Sequence, residues 1–287
     1  MKYGAHVFVW QDRYGDDELR RILDDAAAWG LSFLEVAVGD DIQFNASKLG
    51  DEANARGLEL VFSPGGAWPV ECDISLTDER HRAAGLDWHR RAIERSATAG
   101  ASAYTGAIYG HPGTVQRRRL SESDNKRIAE TLHQLAEDAA DGGLDLVLEP
   151  MSHFRTHVAN TPRQVNHLIA LAGHENLFSL LDTYHLVTEV TDMAAAFEEM
   201  HPHLWGLHAC ENNRGAPGTG LLPWQPLLKA VSVSRWDGYV GFESYNSTWR
   251  YGDFAVERGM FHNVCPDAEA FIRQSLSFMQ TGLSETR

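Results

Sequence analysis

Four short apolar runs in the second half of this chain each end in a side chain able to bind a metal ion. Leu144, Asp145, Leu146, Val147 and Leu148 lead to Glu149, and Leu177, Phe178, Ser179, Leu180 and Leu181 lead to Asp182. Leu204, Trp205, Gly206 and Leu207 lead to His208, and Gly238, Tyr239, Val240, Gly241 and Phe242 lead to Glu243. A short apolar run bounded by polar residues reads as a strand buried on both faces, although periodicity alone also allows a buried helix. The terminal residues fall 33 (149 to 182), 26 (182 to 208) and 35 (208 to 243) positions apart. Each gap is about one strand-plus-helix unit in a barrel of roughly 250 residues. Four such side chains at the same end of successive parallel strands would converge on one point.

The rest of the chain fits that plan. Met1 to Trp10 reads as a first strand, and Asp16-Asp17-Glu18 opens a helix reaching Gly30, with acidic residues where the helix dipole favours them. Further strands are expected at Phe33–Ala37, Leu58–Phe62 and Ala101–Ile108. Helices are expected at Ala46–Arg56, from a Thr77 cap to Ala99, and from a Ser121 or Ser123 cap to Ala140. Thr161-Pro162 marks another helix start, and the last helix spans about Ala268 to Met279. Eight alternations of strand and helix favour a parallel sheet with covering helices, closed into a single (β/α)8 TIM barrel over residues 1–287. Neither GxGxxG nor GxxxxGK[ST] occurs, so the nucleotide-binding alternatives lack their motif.

Charge and cysteine usage narrow the function. With 25 Lys and Arg against 40 Asp and Glu, the net charge of −15 argues against a nucleic-acid partner, which needs basic surface to neutralise phosphates. It also disfavours a metal-dependent nuclease on the same barrel. No apolar run approaches the ~20 residues needed to cross a bilayer, and the N-terminus lacks a signal-peptide pattern. Cys72, Cys210 and Cys265 show no CxxC spacing, which points to a reducing cytoplasm rather than to a disulfide framework or thiolate zinc. The aromatic stretch Asn246–Pro266, with Trp249, Tyr251, Phe254, Phe261 and His262, reads as a lid, a subunit contact in a dimer or tetramer, or a packed surface loop.

Three carboxylates and one imidazole suit a hard or borderline divalent cation, Mn²⁺ with Mg²⁺ or Co²⁺ as alternatives. Burying three carboxylates together without a cation is costly, because like charges resist ionisation beside one another. The motifs Leu148-Glu149, Leu181-Asp182-Thr183-Tyr184-His185, His208-Ala209-Cys210-Glu211-Asn212-Asn213-Arg214 and Phe242-Glu243-Ser244 resemble those of the xylose-isomerase-like barrel superfamily. Within it, the chain is most similar to the D-tagatose/D-psicose 3-epimerase group. That resemblance covers most of the chain and is densest from Leu144 onward. It implies that Glu149, Asp182, His208 and Glu243 are metal ligands, that Glu149 and Glu243 are also the two catalytic carboxylates, and that His185 and Arg214 contact substrate oxygens. The implied substrate is a small carbohydrate, a ketose or modified ketose. One glutamate would remove the proton next to the carbonyl and the other would return one through an enediolate.

The chain departs from that group at Arg155, where the resemblance leads one to expect a substrate-contacting glutamate. A guanidinium there can grip a carboxylate or phosphate, or meet a ring or leaving-group oxygen. The alternative function is therefore a metal-dependent lyase or hydratase acting on a 3-keto sugar or 3-keto glycoside by elimination. A sugar- or metal-binding module without turnover is the non-enzymatic reading. His153 and His157 flank Arg155 and are further pocket candidates, while His6, Trp10 and Trp68 are candidates for an aromatic wall against a sugar ring.

Overall fold

A computed structural model describes residues 1–247 and 254–286, with only the backbone described at Phe254 and Glu257. Eight parallel strands close into a barrel in sequence order: β1 Lys2–His6, β2 Phe33–Ala37, β3 Glu59–Ser63, β4 Ala103–Gly106, β5 Asp145–Leu148, β6 Leu177–Asp182, β7 Leu204–His208 and β8 Tyr239–Phe242. The return of β8 onto β1, with Tyr3 opposite Val240, completes the cylinder. The helices are α1 Asp16–Ala28, α2 Ala46–Ala55, α3 Glu79–Thr98, α4 Glu122–Asp141, α5 Pro162–Ala172, α6 Thr183–Leu186, α7 Met193–Met200, α8 Trp224–Ser234, α9 Phe254–Glu257 and α10 Ala268–Glu285. Among the described residues, no helix is long and apolar enough to cross a membrane.

Helix starts follow local chemistry. Ser121, not Ser123, caps α4, in a reciprocal box with Asp124, and Thr161 does the same for α5 with Gln164. The cap of α3 is Asp78 rather than Thr77, because the Asp78 carboxylate accepts from the Arg80 N–H. The fourth strand is shorter than expected. It stops at Gly106, whose φ of 129° is open to glycine and strained for other residues.

Alternation along each strand separates two cores. Side chains such as Leu34, Phe62, Leu146, Leu181 and Phe242 face the helices in the larger core. The intervening positions Phe33, Val61, Ala103, Val147 and Leu180 form a separate cluster that fills the barrel. Two residues further along the same inward rows stand Glu35, Glu149 and Asp182, and β7 carries His208 inward in the same way. An apolar plug thus forms the floor on which the polar side chains stand. Gly4 belongs to this packing, since a Cβ there would sit 2.4 Å from the Phe33 ring.

Candidate metal centre and active site

Glu149, Asp182, His208 and Glu243 lie at the C-terminal ends of β5 to β8, and one potential ligand atom from each falls within 4.8 Å of all the others. Sheet register explains the convergence. Asp182 pairs with His208 and His208 with Gly241, so the side chains arrive at one level. Gly241 leaves room for the imidazole, as a Cβ there would lie 2.8 Å from His208 Cδ2. The Tyr109 hydroxyl donates to the Glu149 carbonyl at 2.7 Å and ties that strand end to the neighbouring loop.

The ring of His208 is oriented from behind. Its Nε2 lies 2.8 Å from Glu35 Oε2, which accepts a hydrogen bond from it and turns Nδ1 toward the three carboxylates. Among the described residues that Nδ1 makes no hydrogen bond, although Glu243 Oε2 is 3.1 Å and Glu149 Oε1 3.5 Å away, and Glu149 Oε1 has no hydrogen-bond partner either. Buried polar atoms of this kind are nearly always satisfied. Two orphaned ligand atoms facing one another among carboxylates fit a bound cation. The donor set of three carboxylates and one imidazole fits a divalent one.

Electrostatics agree. Burial, reinforced by the charges of Asp182 and Glu243, pushes the Glu149 carboxyl up to about 8 against the pull of His208. Burial acts in the same direction on Glu243, but Arg214 and His208 outweigh it and hold that carboxyl well below the usual range. Asp182 is also held down, since Arg214 and His185 overcome the effect of its burial. One site therefore contains a carboxyl that resists ionisation and two that favour it.

Arg214 is almost wholly buried, in a left-handed backbone conformation at φ 64°. Its Nη1 donates to Asp182 Oδ2 at 2.7 Å and lies 3.3 Å from Glu243 Oε2, while Nη2 lies 3.1 Å from His185 Nε2. Its guanidinium also sits 4.2 Å from the centre of the Tyr184 ring. The other oxygen of Asp182 caps α6, accepting from the N–H groups of Tyr184 and His185. Burial, helped by Arg214, pushes His185 down to about 4 and keeps it neutral.

A cavity of about 80 Å³ opens above the cluster, lined among others by Glu149, His185, Glu243, Arg155, Tyr184 and Tyr245. His6 also reaches it, from 3.2 Å beside the Ser63 hydroxyl. Other expected residues fall elsewhere. Trp10 follows a 3-10 turn that carries the chain outward, stacks on Trp29 at 5.3 Å and donates to Asp25. Trp68 packs between Trp88 and His111. Among the described residues, Phe8, Tyr184 and Tyr245 line the cavity. His153 is exposed and pairs through Nδ1 with Glu189, and His157 lies in an outer groove, so neither lines the cavity. Trp249 and Tyr251 of the expected lid, and the side chain of Phe254, lie outside the described residues. Phe261 and His262 are exposed, whereas Arg258 and Met260 of the same stretch line the cavity.

Sequence reasoning missed two supporting carboxylates. Glu35 was detectable as the lone charge in the apolar run Phe33-Leu34-Glu35-Val36-Ala37. Glu211 carried no such signal. It is fully buried and accepts from the N–H groups of Gly218 and Leu222 and from Trp224 Nε1, folding the loop that holds Arg214.

The chain is similar to known proteins over nearly its whole length. The chain is 27% identical over 284 residues to a probable ketose 3-epimerase of Synechocystis sp., covering 98% of this chain and 96% of the relative. A solved structure of L-ribulose 3-epimerase superposes with a TM-score of 0.91 at 26% identity, covering 100% of this chain and 95% of that one. D-allulose 3-epimerase from Methylomonas sp. in complex with D-allulose superposes with a TM-score of 0.89 at 25% identity, over 98% and 96% of the two chains. The profile described as xylose isomerase-like TIM barrel matches residues 23–281, and with its closed parallel barrel and the polar cluster at the strand ends, the chain belongs to that family.

Proposed function

We propose that this protein is a divalent-metal-dependent epimerase or isomerase of a ketose or modified ketose, acting in the cytoplasm as a single barrel domain. The observation that carries the reading is the pair of orphaned ligand atoms, His208 Nδ1 and Glu149 Oε1, facing one another within the four-residue cluster. Full-length similarity to ketose 3-epimerases supports the substrate class.

Glu149, Asp182, His208 and Glu243 would hold the cation, with Mn²⁺ the first candidate and Mg²⁺ or Co²⁺ the alternatives. Bound there, it supplies stabilisation of the negative charge that develops on the substrate's oxygens. The chain's own residues do the rest. Glu149 and Glu243 reach the cavity from different strands, so one can take the proton next to the carbonyl while the other returns a proton. Return to the opposite face of the same carbon inverts it, and return to the adjacent carbon isomerises. His185, held between the Ser152 N–H at Nδ1 and Arg214 at Nε2, forms part of the cavity wall, Arg214 holds Asp182 and Glu243 in place, and Phe8, Tyr184 and Tyr245 shield the reacting carbon from water.

The test is incubation of a ketose panel with enzyme and Mn²⁺ in D₂O. Deuterium at the carbon next to the carbonyl, abolished in Glu243→Gln, is the expected result. Unchanged exchange in that variant removes Glu243 from the proton transfer. A product lacking water or an aglycone, formed from a 3-keto sugar, assigns elimination instead.

A further inference from the structure

Among the described residues, Arg155 is a cationic side chain of the cavity wall that has no protein partner. Arg155 lies on the loop between β5 and α5, where its backbone is fixed at both ends. Its N–H donates to the Ser152 carbonyl at 2.8 Å and its own carbonyl accepts from Gly113 at 2.7 Å. The side chain is partly buried and lines the cavity with Glu149, Tyr184 and His185. Among the described residues, its guanidinium makes no hydrogen bond or ion pair, and no carboxylate of the cluster pairs with it. The other arginines of the site differ. Arg214 is engaged by Asp182, Glu243 and His185, and Arg258 donates to the Gly65 carbonyl at 2.5 Å.

A guanidinium keeps its charge at any physiological pH and presents a rigid fork of N–H donors. When substrate fills the cavity and displaces water, a partly buried arginine without a partner loses hydration with no compensation from the protein. Neutral hydroxyls can accept from it but leave the charge unbalanced. A carboxylate or phosphate satisfies both charge and geometry, because its paired oxygens match the fork. Arg155 lines the same cavity as Tyr184, His185 and Tyr245, so a substrate lying against those rings also meets the guanidinium.

We infer that Arg155 determines specificity and that the substrate is a ketose carrying an anionic group, a carboxylate or a phosphate, gripped by this side chain. The inference rests on the ketose reading of the site and narrows it.

The experiment compares neutral ketohexoses and ketopentoses with their terminal carboxylate and terminal phosphate derivatives, as deuterium exchange in D₂O with Mn²⁺. Wild type, Arg155→Gln and Arg155→Lys are measured in parallel. The expected result is that wild type prefers one anionic series over its neutral parents. Arg155→Gln then lowers the ratio of anionic to neutral kcat/KM by about 100-fold, chiefly through KM, and Arg155→Lys recovers part of it. The two anionic series identify the group as carboxylate or phosphate. Exchange on neutral ketoses as fast as on both anionic series, or a ratio unmoved in Arg155→Gln, overturns the inference and leaves the ketose reading standing. Absence of exchange on every sugar brings down both.

Discussion

Glu35 and His208, 173 residues apart in sequence, meet inside the barrel with Oε2 and Nε2 2.8 Å apart, and this contact decides which nitrogen of His208 faces the carboxylates. Glu35→Gln keeps the shape of the side chain and removes the charge that orients and enriches the imidazole. Carboxylate partners of ligating histidines typically contribute 10–100-fold to metal affinity. A loss on the order of 10-fold or more in Mn²⁺ affinity is expected, read by competition with a chromophoric chelator. Affinity equal to wild type would mean that the contact does not support a ligand.

Gly241 tests the same point sterically. A methyl group there would come within 2.8 Å of His208 Cδ2. Gly241→Ala should displace the imidazole and weaken Mn²⁺ binding by at least about tenfold, because the ring is buried and already held by Glu35 at Nε2. Wild-type affinity in a folded Gly241→Ala protein would show that His208 is not held where the cation binds.

Removal of metal should be visible in stability as well as in turnover. A ligand that binds only the folded state stabilises it by about 2.7 kcal/mol at a hundredfold excess over Kd. Chelator-treated protein should melt several degrees lower than protein with excess Mn²⁺, and Asp182→Asn should abolish most of that difference. A Tm indifferent to Mn²⁺ would contradict the cluster's role as a cation site.

His89 provides a pH dependence independent of the metal. Fully buried, with Nδ1 2.9 Å from the Tyr104 hydroxyl and Nε2 unpartnered, it is pushed down to about 3 by burial alone. In the unfolded chain a histidine takes up a proton near pH 6.5, whereas the folded imidazole stays neutral until about pH 3. The stability this neutral form contributes is therefore complete above pH 6.5 and declines as pH falls from there toward 3. The slope is about 1.4 kcal/mol per pH unit for one proton. In urea melts, His89→Gln should lose up to that much slope relative to wild type between pH 6 and 4. Identical slopes would mean that His89 is protonated in the fold.

Glu211→Ala should act at a distance. Without its carboxylate, the N–H groups of Gly218 and Leu222 and Trp224 Nε1 lose their acceptor, and the loop holding Arg214 in its left-handed conformation loosens. A fall in kcat of about 10-fold or more is expected, with weaker suppression of the Glu243 pKa in the pH–rate profile. An unchanged profile would limit Glu211 to a structural role.

The eight-unit alternation and the metal-competent residue closing each of four apolar runs were determined by sequence alone, because strand burial and strand-end position leave a periodic mark along the chain. His185 stands three residues past Asp182 in the sequence, and it lines the cavity. What tertiary structure decided is which distant side chains meet. Trp10 and Trp68 look like a sugar-binding wall in sequence, yet their partners Trp29 and Trp88 draw them into packing outside the cavity, while Phe8, Tyr184 and Tyr245 are among its described lining residues. Glu35 reaches His208 only because closure brings β2 and β7 to face one another across the barrel. Arg155 lines the cavity from a loop held by two backbone hydrogen bonds, one of them from Gly113. Contacts of this kind depend on long-range closure and rotamer choice, which leave no period in the chain.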